Sequence, residues 1–226
     1  MQGRLSPVIN GKIQCFPTEF WEKEFPLATK IGINKMEWTI DYDGLYKNPL
    51  LTKQGQKHIN QLVKLHNFKI PSLTGDCFMQ MPFWKQTETT QRTKLINDFI
   101  NICESCYKVN INLIVIPLVD NGSLENHKQK NDLISILLSK LDFIKKLDLQ
   151  IVFETDLKPK DMYNFIKEFP EENFGINYDI GNSASLNYNP DEEFQYYGKC
   201  IKNVHIKDRT KGGTTVELGK GNANFK

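Results

Sequence analysis

Three short apolar segments in the second half of the chain each end on a side chain that can bind a metal. Ile151-Val152-Phe153 runs into Glu154, Phe174-Gly175-Ile176-Asn177-Tyr178 into Asp179, and Ile201-Lys202-Asn203-Val204 into His205. Glu154 precedes Asp179 by 25 residues and Asp179 precedes His205 by 26, one strand–helix–strand step each time. In a parallel barrel the C-terminal ends of the strands share one face, so this spacing predicts that the three side chains converge. Two carboxylates and an imidazole at one point suit a divalent metal.

The rest of the chain repeats the same step. Met1–Leu5, Ile33–Ile40, Phe68–Leu73 and Asn112–Leu118 read as four earlier strands, the last a continuous apolar run of the kind buried on both faces. Between them lie amphipathic segments read as helices. The first is capped by Thr18, kinked at Pro26 and stopped at Gly32, with Trp21, Phe25, Leu27 and Ala28 on its apolar face. Others run from Lys53 to His66, about Thr89 to Lys108, Asp132 to Leu147, Lys160 to Phe169 and Pro190 to Lys199. The pattern predicts an α/β fold, a (β/α)8 TIM-type barrel, as one domain over residues 1–226. A doubly wound open sheet lacks support, since no GxGxxG follows the first strand. After His205 come Lys207-Asp208-Arg209, a glycine-rich turn and Leu218-Gly219-Lys220-Gly221. Closing such a barrel takes eight strands and only seven are legible, so the eighth is expected to be missing. A seven-stranded domain, or one closed by a partner, is the alternative.

Charge and cysteines narrow the function classes. Of 29 basic residues only Arg4, Arg92 and Arg209 are arginine, and the net charge is +2, which does not favour a nucleic-acid partner. No apolar run approaches the roughly 20 residues of a membrane span. Five cysteines, with Met1-Gln2-Gly3-Arg4 leading straight into mixed polar sequence rather than a secretory signal, point to a reduced, cytoplasmic protein. Cys103 and Cys106 have CxxC spacing, but they fall inside a helix with no second pair near and are read as packing.

Further residues are candidates for substrate contact. Glu37, between Met36 and Trp38, either faces the barrel lumen or makes a structural hydrogen bond. Lys207, two residues after His205, can present a cation to substrate oxygens or be a solvated strand-end lysine. Arg4 and Asn182 are weaker candidates. The cluster Phe78, Met79, Met81, Phe83 and Trp84, within Cys77–Lys85, reads equally as a lid over a pocket or as packing on the barrel rim. His58, His66 and His127 fall on or beside helices and are read as surface or packing residues.

Met-Gln-Gly-Arg-Leu-Ser-Pro at 1–7, Glu37-Trp38, Phe153-Glu154-Thr155, Tyr178-Asp179-Ile180-Gly181-Asn182, Val204-His205-Ile206-Lys207-Asp208 and Leu218-Gly219-Lys220-Gly221 occur in an order that resembles the sugar phosphate isomerase/epimerase family. These are xylose isomerase-like TIM barrels, a group that includes endonuclease IV. The resemblance implies a metal held by Glu154, Asp179 and His205 together with a glutamate on strand eight, beyond Lys226. Glu217 is the nearby acid, but it precedes a turn where the family places no ligand. It also implies that Glu154 is one of two glutamates that move the substrate proton. The chemistry is consistent on its own terms: a proton next to a carbonyl is a very weak acid, and a metal stabilises the enediolate left when a carboxylate removes it. The oxygen-rich ligand set favours Mn²⁺ or Mg²⁺, with Zn²⁺ and Co²⁺ compatible.

The expected partner is therefore a small-molecule sugar or sugar phosphate, with no nucleic acid and no membrane; a homo-oligomer is compatible with this reading. A DNA-repair nuclease of the endonuclease IV kind would need histidines at the ends of strands three and four, where Thr74-Gly75-Asp76 and Pro117-Leu118 stand. A barrel remnant that binds a sugar or metal without catalysis is the other class.

Overall fold

The computed structural model describes residues 5–7, 11 and 15–225. Six strands form one parallel sheet in chain order: β1 (Lys35–Thr39), β2 (Lys69–Thr74), β3 (Leu113–Leu118), β4 (Gln150–Thr155), β5 (Phe174–Asp179) and β6 (Ile201–His205). The helices are α1 (Trp21–Lys30), α2 (Lys53–Leu65), α3 (Asp76–Gln80), α4 (Thr89–Lys108), α5 (His127–Leu138), α6 (Leu141–Lys146), α7 (Pro159–Ile166), α8 (Ile180–Leu186) and α9 (Pro190–Tyr197). Every crossover between neighbouring strands contains at least one of them. The sheet curls into a half-barrel, a partial (β/α)8 TIM-type fold. The strand expected at Met1–Leu5 falls outside the described residues except for Leu5, and Arg4 falls outside them altogether. Among the described residues no helix is long and apolar enough to cross a membrane.

Side chains on a strand alternate between faces, and that alternation separates core from cavity. On β4, Phe153 packs against Phe165 of α7, Phe169 and Phe174, so Glu154 points into the lumen. On β5, Phe174, Ile176 and Tyr178 join the outer apolar layer, which turns Gly175, Asn177 and Asp179 inward. On β1, Trp38 is buried against Phe16 and Trp21, and Glu37 takes the opposite face.

Two bulges set the phase. Lys35 pairs with Lys69 but Glu37 with Ser72, so β2 carries an extra residue around Pro71, which has no N–H to give to a ladder. Ile176 pairs with Ile201 but Asn177 with Asn203, so β6 carries Lys202 as its extra residue. A one-residue slip moves every later side chain to the other face. This bulge brings His205, rather than Val204, opposite Asp179.

Strand-to-helix junctions fix the ends. Thr52 Oγ1 caps α2 by accepting from Gly55 N (3.0 Å), and Glu88 caps α4 by accepting from the backbone N–H groups of Thr90 and Gln91. Asp179 ends β5 and caps α8, its Oδ1 accepting from Asn182 N at 2.8 Å.

The structure corrects several boundaries. The first helix begins at Trp21, not at a Thr18 cap; Phe20 is the capping residue and makes no side-chain bond. The helix expected over Asp132–Leu147 is two helices broken at Ser139-Lys140, where the Ser139 hydroxyl bonds the Ile136 carbonyl and competes with the helical ladder. Residues 180–186, where no helix is expected from the sequence, form α8. Of the Cys77–Lys85 cluster, Phe78, Phe83 and Trp84 are buried and Trp84 Nε1 donates to Gly122 O, which is packing; Met79 reaches the cavity. The glycine-rich turn after His205 is built on a hairpin, β7 (Asp208–Arg209) with β8 (Thr215–Val216). Buried Asp208 pins the following chain by accepting from the N–H groups of Gly219, Gly221 and Ala223 at 2.8–3.0 Å.

Candidate metal centre

A cavity of about 740 Å³ opens at the C-terminal ends of the strands, its wall including Glu37, Asp76, Glu154, Asp179, His205 and Lys207. In it Glu154, Asp179 and His205 each offer one ligand atom, and the three atoms lie within 4.8 Å of one another. His205 Nδ1 is 3.0 Å from Glu154 Oε2 and 3.9 Å from Asp179 Oδ2. Both carboxylates are buried, at 6% and 5% exposure.

Electrostatics in this small space are strongly coupled. Burial works against a charged His205, but the hydrogen bonds and charges of Glu154 and Glu37 outweigh it and hold the ring's pKa up at about 10. Burial likewise raises Glu154, yet the His205 hydrogen bond, the nearby Lys207 and His205 charges and the Asn182 bond pull its carboxyl below the usual range. Asp179 moves the other way: burial and the Glu154 charge push it up against the pull of Lys207.

Residues from several strands hold these three. Asn177 Nδ2 donates to Glu154 Oε2 at 2.8 Å and sits 3.0 Å from His205 Nδ1. Asn182 Nδ2 donates to Glu154 Oε1 (2.5 Å), and Arg209 Nη1 donates to Asn182 Oδ1 (2.8 Å). Lys207 Nζ stands 2.8 Å from Asp179 Oδ2 as an ion pair, and this buried oxygen accepts no hydrogen bond of normal geometry. Glu37 faces the lumen, its Oε1 2.8 Å from His205 Nε2 and also accepting from Thr74 Oγ1 at 2.5 Å.

A divalent cation fits these residues. Asp179 Oδ2 is buried, accepts no hydrogen bond of normal geometry and faces only the Lys207 ammonium, so it is an oxygen that a cation could take up. The hard oxygens of Glu154 and Asp179 with one imidazole nitrogen form an oxygen-rich donor set. Cys103 and Cys106 lie fully buried in α4, where burial pushes both thiols up, far from that role. Glu217 is an exposed part of the cavity wall and does not join the cluster.

Asn177, Asn203, Thr74 and Asp76 belong to the site although the strand-end pattern of ligands does not single them out. Asp76 is a partly exposed acid that opens α3 after β2; burial and the charges of Asp41, Glu154 and Glu37 push it up to about 7. Its sequence signal is its place, just past the C-terminal end of a strand. Asn177 and Asn203 share the inward phase of Asp179 and His205 and are legible by alternation.

Parallel strands alternating with helices, and a polar cavity at their C-terminal ends, define the class: an α/β barrel of the TIM type. Within that class the chain belongs to the xylose isomerase-like TIM barrel family, whose profile matches residues 25–226. No curated protein matches the chain. Among solved structures it is similar to a xylose isomerase domain protein from Planctomyces limnophilus (TM-score 0.71, 14% identity, 87% of this chain and 76% of that one). It is also similar to D-allulose 3-epimerase from Methylomonas sp. (TM-score 0.71, 13% identity, 93% and 73%). A third is a xylose isomerase-like TIM barrel protein from Mycobacterium smegmatis in complex with magnesium (TM-score 0.68, 15% identity, 92% and 76%). At such identities the likeness is one of fold.

Proposed function

We propose that this protein is a divalent-metal-dependent isomerase or epimerase of a sugar or sugar phosphate, with Glu154, Asp179 and His205 as metal ligands. The observation that carries the reading is the meeting of these three side chains within 4.8 Å at the mouth of the strands. The family and the folds of an epimerase and a magnesium-bound relative support it.

Bound there, Mn²⁺ or Mg²⁺ would polarise the carbonyl and hydroxyl oxygens of the substrate and offset the charge that develops on them. The chain's own residues do the rest. Glu154 is held as a carboxylate at neutral pH and is the base that takes the proton from the carbon beside the carbonyl. Asn182, fixed between Glu154 and Arg209, orients that carboxylate and faces the cavity as a contact for substrate hydroxyls. Lys207 supplies a cation to substrate oxygens once Asp179 is otherwise engaged.

The test is metal content, followed by exchange of the C2 or C3 hydrogen of ketohexoses and their phosphates in D2O, read by proton NMR. Wild type should bind about one ion per chain and exchange deuterium. Glu154→Ala, Asp179→Ala and His205→Ala should lose both. The Lys207–Asp179 ion pair favours a second reading, a barrel that binds a sugar without metal or catalysis. Sugar binding by metal-free wild type, with no exchange after metal addition, would establish that one instead.

A further inference from the structure

The two ring nitrogens of His205 face different carboxylates. Nδ1 points to the side where the ligand atoms gather, 3.0 Å from Glu154 Oε2 and 3.9 Å from Asp179 Oδ2. Nε2 points away from that side, to Glu37 Oε1 at 2.8 Å. We infer that Glu37 is the positioning residue of the centre: it takes the Nε2–H of His205 and so fixes Nδ1 as the nitrogen that binds metal. The inference rests on the metal-site reading above and adds a residue which that reading does not require.

Donor and acceptor capacities dictate the assignment. An ionised carboxylate only accepts, so Nε2 must carry the proton that joins it to Glu37. By the same argument Nδ1, 3.0 Å from Glu154 Oε2, carries a proton in the metal-free chain; a cation held by Glu154 and Asp179 would take the place of that proton, because Nε2 keeps its own for Glu37 and a neutral imidazole has only one N–H. A carboxylate behind a ligating histidine also raises its basicity and locks the ring plane.

Glu37 is itself held in place. Thr74 Oγ1, on β2, donates to its Oε1, and Asn203 Nδ2, on β6, lies 3.5 Å from its Oε2. Both oxygens therefore have protein partners before any substrate arrives. Among the described residues Glu37 on β1 and His205 on β6 belong to the two edge strands of the sheet, so a role limited to tying those edges together is the plain alternative. Such a tie would leave the choice of ring nitrogen unaffected.

The experiment uses Zn²⁺, which is diamagnetic, and protein labelled with ¹⁵N-histidine. Long-range ¹H–¹⁵N correlation spectra assign the His205 nitrogens, and competition with a chromophoric chelator gives the Zn²⁺ affinity. Wild type should show metal on Nδ1 and a proton on Nε2 that exchanges slowly with water. Glu37→Gln keeps an acceptor oxygen and should retain this pattern with affinity within a few-fold of wild type. Glu37→Met keeps the bulk without the acceptor and should mix the two ring arrangements, with affinity falling about 10–100-fold. Zn²⁺ on Nε2 in wild type would overturn the inference whether or not any variant folds. Wild-type affinity and Nδ1 coordination in Glu37→Met would overturn it too, leaving the metal-site reading intact. A wild type that binds no Zn²⁺ would sink that reading and the inference together.

Discussion

Lys207 Nζ lies 2.8 Å from Asp179 Oδ2 and 3.9 Å from Glu154 Oε1, inside the cluster of proposed metal ligands. An ammonium in that place neutralises the buried acids and competes with any cation that would bind them. Lys207→Met should therefore tighten Mn²⁺ binding, roughly tenfold or more given the loss of a unit charge at such short range. The same variant should destabilise the metal-free protein by about 1–3 kcal/mol, because Asp179 stays buried without its partner. Saturating Mn²⁺ should restore its thermal stability. Calorimetric titration checks the affinity, and weaker Mn²⁺ binding in Lys207→Met would show that the lysine supports the site rather than competing for it.

Metal binding should depend on pH in a defined direction. His205, held up at about 10, is an imidazolium at neutral pH in the metal-free chain, and coordination must displace a proton. Apparent affinity should rise about tenfold per pH unit between pH 6 and 9. The fold's own preference runs the other way. The raised His205 pKa contributes stability in full below its ordinary 6.5, and loses it as pH climbs toward 10. Glu37, where burial is outweighed by bonds from His205, Thr74 and Ser72 that lower it to about 2, contributes above 4.5 and loses this as pH falls toward 2. Urea midpoints of the metal-free protein should fall between pH 6 and pH 9, where the His205 contribution declines and Asp76, pushed up to about 7, becomes charged. A metal affinity flat in pH would mean that His205 is not a ligand.

Much of this arrangement is legible in the amino-acid sequence alone. The three strand ends carry the proposed ligands in plain view because parallel β/α steps repeat at near-constant length, and alternation tells which side chains turn inward. What escapes depends on contacts between distant parts of the chain. The Lys202 bulge that sets His205 opposite Asp179 leaves no periodic trace, and uninterrupted pairing from Ile176 and Ile201 would put Val204 there. The Glu37–His205 bond spans 168 residues and exists only because the sheet curls. In the sequence Glu37 is an acid in a strand, with two readings and no partner. The division of 132–147 into two helices escapes for a different reason, since buried Leu133, Leu137 and Ile144 keep a helical spacing across the break.

Gly181 tests how tightly the site is built. A Cβ on this residue would meet Lys207 Cγ at 2.5 Å and Lys207 O, a backbone atom, at 2.9 Å. Lys207 is the residue paired with Asp179, so the strain would fall on the cluster. Gly181→Ala should destabilise the protein by about 1–3 kcal/mol, the usual penalty for overpacking. It should also shift metal affinity, whereas Gly32→Ala, at a surface turn with open space around it, should leave affinity unchanged. Equal metal affinity in Gly181→Ala and wild type would show that the Lys207 backbone moves without consequence for the centre.

Behind Asp179 a second carboxylate holds the β5–α8 junction from the outer side. Glu193, 2% exposed on α9, accepts from Tyr197 OH at 2.6 Å, from Tyr178 OH at 3.1 Å and from the Ser183 hydroxyl. Tyr178 and Ser183 bracket Asp179 and Asn182, so the network fixes the segment that delivers one proposed ligand and its cap. Glu193→Ala leaves three buried hydroxyls without this acceptor and should cost about 2–4 kcal/mol. Glu193→Gln keeps an acceptor oxygen and should cost less than half as much. Because the network reaches the cavity through Asp179 and Asn182 and not through His205, metal affinity in Glu193→Ala should drop while its His205 spectrum stays that of wild type. Chemical denaturation and Zn²⁺ competition on the same samples separate the two effects. A stability loss with unchanged affinity would confine Glu193 to packing.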